Sequence, residues 1–123
     1  MKTIHTDKAP AAIGPYSQAM AVNGLLFTSG QIAIDPATGN IDAKTIEEQT
    51  HQALRNLAAV LETAGTGLDR VIKTTCFLQH MSDFAAFNAV YGQYFPNKPA
   101  RSCVEVGALP KDALVEVEAV AEL

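Results

Sequence analysis

The segment Leu114–Ala121, LVEVEAVA, constrains the fold most, because as a β-strand it has no side free of apolar groups. Successive side chains leave a strand on opposite faces, so Val115, Val117, Ala119 and Ala121 point one way and Leu114, Glu116, Glu118 and Val120 the other. Both faces need cover. The rest of the chain offers enough helix for one.

Upstream, Asn23-Gly24 separates two β-prone runs and suits the two positive φ angles of a type I′ turn, which predicts a hairpin over residues 17–22 and 25–34. DPATGN, residues 35–40, is a turn cluster. The period then changes. Ile46, Thr50, Ala53, Leu54, Leu57, Leu61 and Ala64 recur at three- and four-residue spacings, with a Thr45-x-x-Glu48 capping box before them and Gly65 as a stop, so residues 45–65 read as a helix. RVIKTTCFL, residues 70–78, is a β-branched strand. Ser82 and Asp83 open a second helix with Phe84, Phe87, Tyr91 and Tyr94 on one side, ended by FPNKP. Pro99–Ala121 gives two more strands joined by Leu109-Pro110-Lys111-Asp112.

The order β-β-α-β-α-β-β over residues 1–123 describes one α+β domain with a mixed sheet. Right-handed crossovers lay both helices on the same face. The bare face is then expected to close against copies of itself in a symmetric oligomer.

Composition excludes several functions. A chain of 123 residues with 48% hydrophobic and 18% charged residues is expected to form one soluble core. Its apolar runs break well before the ~20 residues of a membrane span, and the N-terminal stretch lacks an apolar export core, so no membrane partner and a cytoplasmic location are expected. The net charge is −4 and the nine Lys and Arg residues are scattered, which disfavours a nucleic-acid partner. Cys76 and Cys103 are far apart and read as reduced thiols. His5, His51 and His80 are isolated, His51 on the solvent side of the first helix. No nucleotide, triad or metal motif is present, so no cofactor and no metal are expected.

Chemistry falls on a few residues. Arg101 stands at a strand entrance, where its planar fork suits a carboxylate; an ion pair with Glu105, Glu116 or Glu118 is the other reading, and both stay open. Glu116 and Glu118 share a face, either as a polar rim or as a carboxylate orienting water beside a substrate. Cys103 reads as a small hydrophobe in a strand, ahead of a nucleophile, which would need a lowered pKa. Gly30 interrupts a strand and marks a bulge or a close approach to backbone, with the Ser29 hydroxyl beside it. Gly14-Pro15-Tyr16 reads as a turn presenting a phenol.

APAAIGPYSQA, FTSGQI, DPATGNI, IKTTCFL, SDFAAFNAVY, PARSCVEV and LPKDALVEVEAVA together resemble the RidA family, also called YjgF, from about Ala9 to Ala121. The resemblance implies a chorismate-mutase-like subunit and a homotrimer whose sheets form a barrel, with active sites between subunits. It implies hydrolysis of short enamines and imines of 2-keto acids, such as 2-aminoacrylate, 2-iminobutanoate and 2-iminopropanoate, to the keto acid and ammonia. By motif it places the carboxylate-binding arginine at Arg101, a substrate-bonding backbone at Cys103 and the water-orienting glutamate at Glu116, with Glu118 carried over less firmly. Tyr16, Ser29, Gly30 and Asn88 match other substrate-binding positions. A ligand-binding trimer for 2-keto acids or amino acids, and an RNA-cleaving translation inhibitor, are the rival functions.

Overall fold

The computed structural model describes all 123 residues. Six strands, β1 (Lys2–Ile4), β2 (Ala19–Val22), β3 (Leu25–Thr28), β4 (Val71–Leu78), β5 (Ala100–Glu105) and β6 (Val115–Glu122), form one mixed sheet with helices α1 (Ile46–Thr63) and α2 (Phe84–Tyr94). The strand order is β1-β2-β3-β6-β4-β5.

Asn23 and Gly24 take φ values of 51° and 77°, and β2 pairs antiparallel with β3 around them. The hairpin is shorter than its sequence suggests. β3 stops at Thr28, and beyond it only Gln31 regains the ladder, as a bridge to Val117. Phe27 faces Val120 and Gln31 faces Val117, so three residues, Thr28 to Gly30, oppose two, Glu118 and Ala119. That is a one-residue bulge, centred where Gly30 predicted one. The Thr28 hydroxyl accepts from the Ala119 N–H at 3.0 Å and so replaces the missing ladder carbonyl.

The first helix matches its sequence pattern. Thr45 accepts from the Glu48 N–H at 3.2 Å, and Gly65, with φ of 90°, turns the chain so that the Thr66 N–H reaches the Leu61 carbonyl at 3.0 Å. Leu54, Leu57 and Leu61 are fully buried, each stabilising the fold by roughly 1.5–3 kcal/mol. The second helix begins later than Ser82, after a 3-10 turn at Met81–Asp83.

Two features depart from the expected order. β1, a three-residue edge strand pairing antiparallel with β2, was not anticipated. The last two strands are not neighbours either: β4 lies between them, parallel to β5 and antiparallel to β6, while β6 separates β3 from β4. Both helices pack on the face that carries Thr74, Cys76, Leu78, Val115, Val117, Ala119 and Ala121, all buried. On the opposite face Phe27 and Val104 remain 44% exposed. This is the bare face the alternation required.

Candidate active site

Arg101 projects from the start of β5 and pairs in register with Thr74 of β4. Register partners share a face, so Arg101 lies on the helix side. There its guanidinium carbon sits 4.8 Å from the Tyr91 ring centroid, 5.4 Å from Phe84 and 5.9 Å from Phe87, a cation–π cradle supplied by α2. One guanidinium nitrogen donates to the Asn88 side-chain oxygen at 2.7 Å. No carboxylate joins it. The chain's ion pairs are His5–Asp7 and Arg70–Glu122, and neither involves Arg101. The alternative ion pair fails because β6, with Glu116 and Glu118, is two strands away, and Glu105 instead accepts from the Met81 N–H at 2.7 Å. Arg101, Asn88 and Tyr91 line one cavity of about 480 Å³ with Lys98 and Pro99.

Glu116 lines another. It shares a cavity of about 230 Å³ with Pro10, Ile13, Tyr16, Gly30, Gln31 and Lys111. Gly30 is its back wall: a Cβ built there would lie 2.7 Å from Glu116 Cδ and 2.8 Å from Cγ, so only a glycine admits the carboxylate where it stands. Burial, reinforced by the negative charge of Glu118, pushes the Glu116 carboxyl above its ordinary value. Tyr16 follows Gly14, whose φ is 123°, in the tight turn expected of Gly-Pro-Tyr, and is 53% exposed at the mouth. The Ser29 hydroxyl donates to the Ser17 carbonyl at 2.6 Å, so its proton faces the scaffold rather than the cavity. Lys111 at the rim and Asp112 after it both adopt the left-handed conformation, with φ of 56° and 54°, where non-glycine residues are strained.

Within one chain the two halves do not meet. Glu116 pairs with Phe77, on the bare face, whereas Arg101 pairs with Thr74, on the covered face. They are separated by about 10 Å along the strands and about 10 Å across them, with the sheet between. Cys103, on the Arg101 side, has its thiol pushed up by burial despite the nearby Arg101 charge, so it is a protonated small side chain and not a nucleophile poised as thiolate. Cys76 is buried and pushed up to about 12. No group of three or more His, Cys, Asp or Glu side chains is placed to hold a metal.

The sequence pattern of the family described as Endoribonuclease L-PSP matches residues 6–123. The chain is a member of this YjgF/RidA/RutC family. It is 59% identical over 126 residues to a RutC family protein of Synechocystis, covering 100% of this chain and 97% of that protein. The solved structure of the YjgF gene product of E. coli superposes with a TM-score of 0.94 at 44% identity, covering 99% of this chain and 98% of that one. E. coli TdcF with bound serine superposes at 0.95 with 42% identity, covering 100% and 99%. The two helices and mixed six-stranded sheet are those of the YjgF/RidA fold.

One residue beside the Glu116 cavity was not singled out by sequence. Gln18, buried, exchanges hydrogen bonds with Thr6 and donates to the Pro10 carbonyl at 2.8 Å, pinning the segment that forms one cavity wall. His51 is half-buried between the helices and bonds the Tyr94 hydroxyl at 2.8 Å, so it is not on the solvent side. The aromatic cradle was visible as the spacing of Phe84, Phe87 and Tyr91. Its association with Arg101 was not, because spacing within a helix says nothing about which strand lies beneath it.

Proposed function

We propose that the chain hydrolyses short 2-imino acids, and the enamines that tautomerise to them, to 2-keto acids and ammonia. The observation that carries this reading is the uncompensated Arg101. A half-buried guanidinium held by three aromatic rings and one amide oxygen, with no acid of its own, is a receptor for a small carboxylate. Membership of the YjgF/RidA/RutC family supports imine and enamine deamination at family level.

Because Arg101 and Glu116 lie on opposite faces, the working site is built between subunits, the Arg101 half of one meeting the Glu116 half of the next. The free edge at β5 and the apolar bare face support a ring of copies, and we assign a homotrimer. The substrate carboxylate rests on Arg101, which fixes C2 beside a water bonded to Glu116. Ionised Glu116 takes a proton from this water as its oxygen bonds to C2, and the protonated acid then passes a proton to the nitrogen. This transfer gives a carbinolamine; Glu116 next takes the proton of its hydroxyl and passes it to the nitrogen, which leaves as ammonia when the C2–N bond breaks and the carbonyl forms. Holding the reactants is most of the task, since an imine is already electrophilic.

A coupled assay tests this. A threonine dehydratase acting on L-threonine releases the imine, semicarbazide traps it, and added protein is expected to suppress trapping unless Arg101→Ala is present. Unchanged trapping would favour the second reading, a binding module for amino or keto acids, which the serine held by TdcF supports. RNA cleavage, suggested by the family's description, is opposed by the net charge of −4; intact RNA after incubation is the expected result.

A further inference from the structure

Asn56 is a polar residue on the apolar stripe of α1, four residues before Val60 and three after Ala53, and only 1% exposed. Its side-chain nitrogen donates to the Ile32 carbonyl at 3.0 Å and to the Ile34 carbonyl at 2.8 Å, and its oxygen accepts from the Gln52 side chain at 2.8 Å. Both donors and the acceptor are therefore satisfied, and both carbonyls lie in the segment that follows the Gly30 bulge. From the sheet side the same segment is held by Gln31 alone, which exchanges two backbone hydrogen bonds with Val117 at 2.9 and 3.0 Å. Val117 is the neighbour of Glu116, and Gly30 is the wall against its carboxylate.

A bulged strand that has left its ladder has no regular partners to fix its depth. Here one amide, reaching up from the helix, ties it at two successive outward carbonyls. We propose that Asn56 is a positioning residue for Glu116: it sets how closely the Gly30 backbone presses on the carboxylate, and thereby its dryness and aim. This rests on the deaminase reading for its catalytic consequence. Its structural core does not.

Removing the amide leaves two carbonyls needing water, and the Gly30 segment lifts. Solvent then reaches the Glu116 carboxylate, whose pKa falls toward that of an ordinary glutamate, and the aim of its water relaxes. Displacements of about 1 Å at a reacting group cost on the order of 100-fold in rate. Asn56→Ala is expected to turn over about 10- to 100-fold more slowly, with KM changed less than about threefold, since the substrate carboxylate is held by Arg101 and its cradle, none of which Asn56 bonds.

The test compares the unaltered protein with Asn56→Ala and with Leu57→Ala, a neighbouring core truncation on the same helix whose side chain donates to neither carbonyl. Glutamate side-chain carboxyl carbons are labelled with carbon-13 and titrated by NMR, Glu116→Gln identifying the resonance. Kinetics are measured well below each melting temperature. A Glu116 midpoint lowered in Asn56→Ala and unmoved in Leu57→Ala supports the proposal. An unmoved midpoint in Asn56→Ala, or an equal shift in both variants, overturns it whatever the activity. Wild-type protein without deaminase activity would refute the proposed function and leave the titration to decide the positioning role.

Discussion

Gly30→Ala separates catalysis from folding. The added methyl would stand 2.7 Å from Glu116 Cδ and 2.8 Å from Cγ, whereas carbon atoms rest at about 3.5–4.0 Å, so one partner has to move by about 1 Å. The partner that moves is the carboxylate, because it ends a flexible side chain beside a cavity of about 230 Å³, while the Gly30 backbone is tethered through Gln31. Gly30 does not occupy the left-handed region, so alanine meets no backbone strain there. A displacement of about 1 Å at a reacting group lowers the rate on the order of 100-fold, about 2.7 kcal/mol of transition-state stabilisation. The imine-trapping assay, run beside thermal melts, should show that loss of turnover with the melting temperature little changed. Wild-type turnover in a folded Gly30→Ala protein would refute the placement of Glu116 at the reaction. A collapse of the melting temperature would refute the claim that the side chain, and not the backbone, gives way.

Arg101→Lys should lower kcat/KM by about 10- to 100-fold, because an ammonium keeps the charge but neither the planar fork nor the stacking on Tyr91; kinetics that match wild type would sink the carboxylate receptor. Cys103→Ser should stay within about threefold of wild type, since a thiol pushed up by burial contributes no thiolate. Glu116→Gln should raise the melting temperature at neutral pH. The folded protein holds the Glu116 proton more tightly than the unfolded chain, so the native charge weakens the fold increasingly as pH rises through the folded value; below the ordinary 4.5 the two proteins should melt alike. Melts across pH that never diverge would show the carboxylate is not buried.

Local order was legible and long-range order was not. Asn23-Gly24, the Thr45 cap, the Gly65 stop and the alternation of β6 each express a constraint carried by a few adjacent residues, and each appears in the structure. Gly30 was legible as an anomaly, and the structure supplies its reason in the Glu116 carboxylate. β1 escaped because three residues hold too little alternation to register. The insertion of β6 between β3 and β4 escaped because side-chain period is the same in every strand order. That one fact decided the reading of Arg101: only with β4 interposed are Glu116 and Glu118 out of its reach. Asn56 and Gln18 left a trace, an amide on an otherwise apolar face, but nothing local says which carbonyls it meets.

The opposed faces of Arg101 and Glu116 lead to a test that needs no knowledge of the assembly's order. If each site takes its arginine from one chain and its glutamate from the next, Arg101→Ala and Glu116→Gln proteins are each inactive for different reasons. Unfolded together in equal amounts and refolded, they would mix at random. A site then works only where a chain that kept Arg101 abuts a chain that kept Glu116, which occurs at about one quarter of the contacts in any closed assembly with one such site per contact. Activity should therefore rise from nearly nothing to about one quarter of wild type on mixing. Because the sheet stands between the two side chains in a single subunit, no refolded homogeneous protein can rescue itself. Mixed protein that assembles normally and stays inactive would mean that these two residues do not serve one substrate.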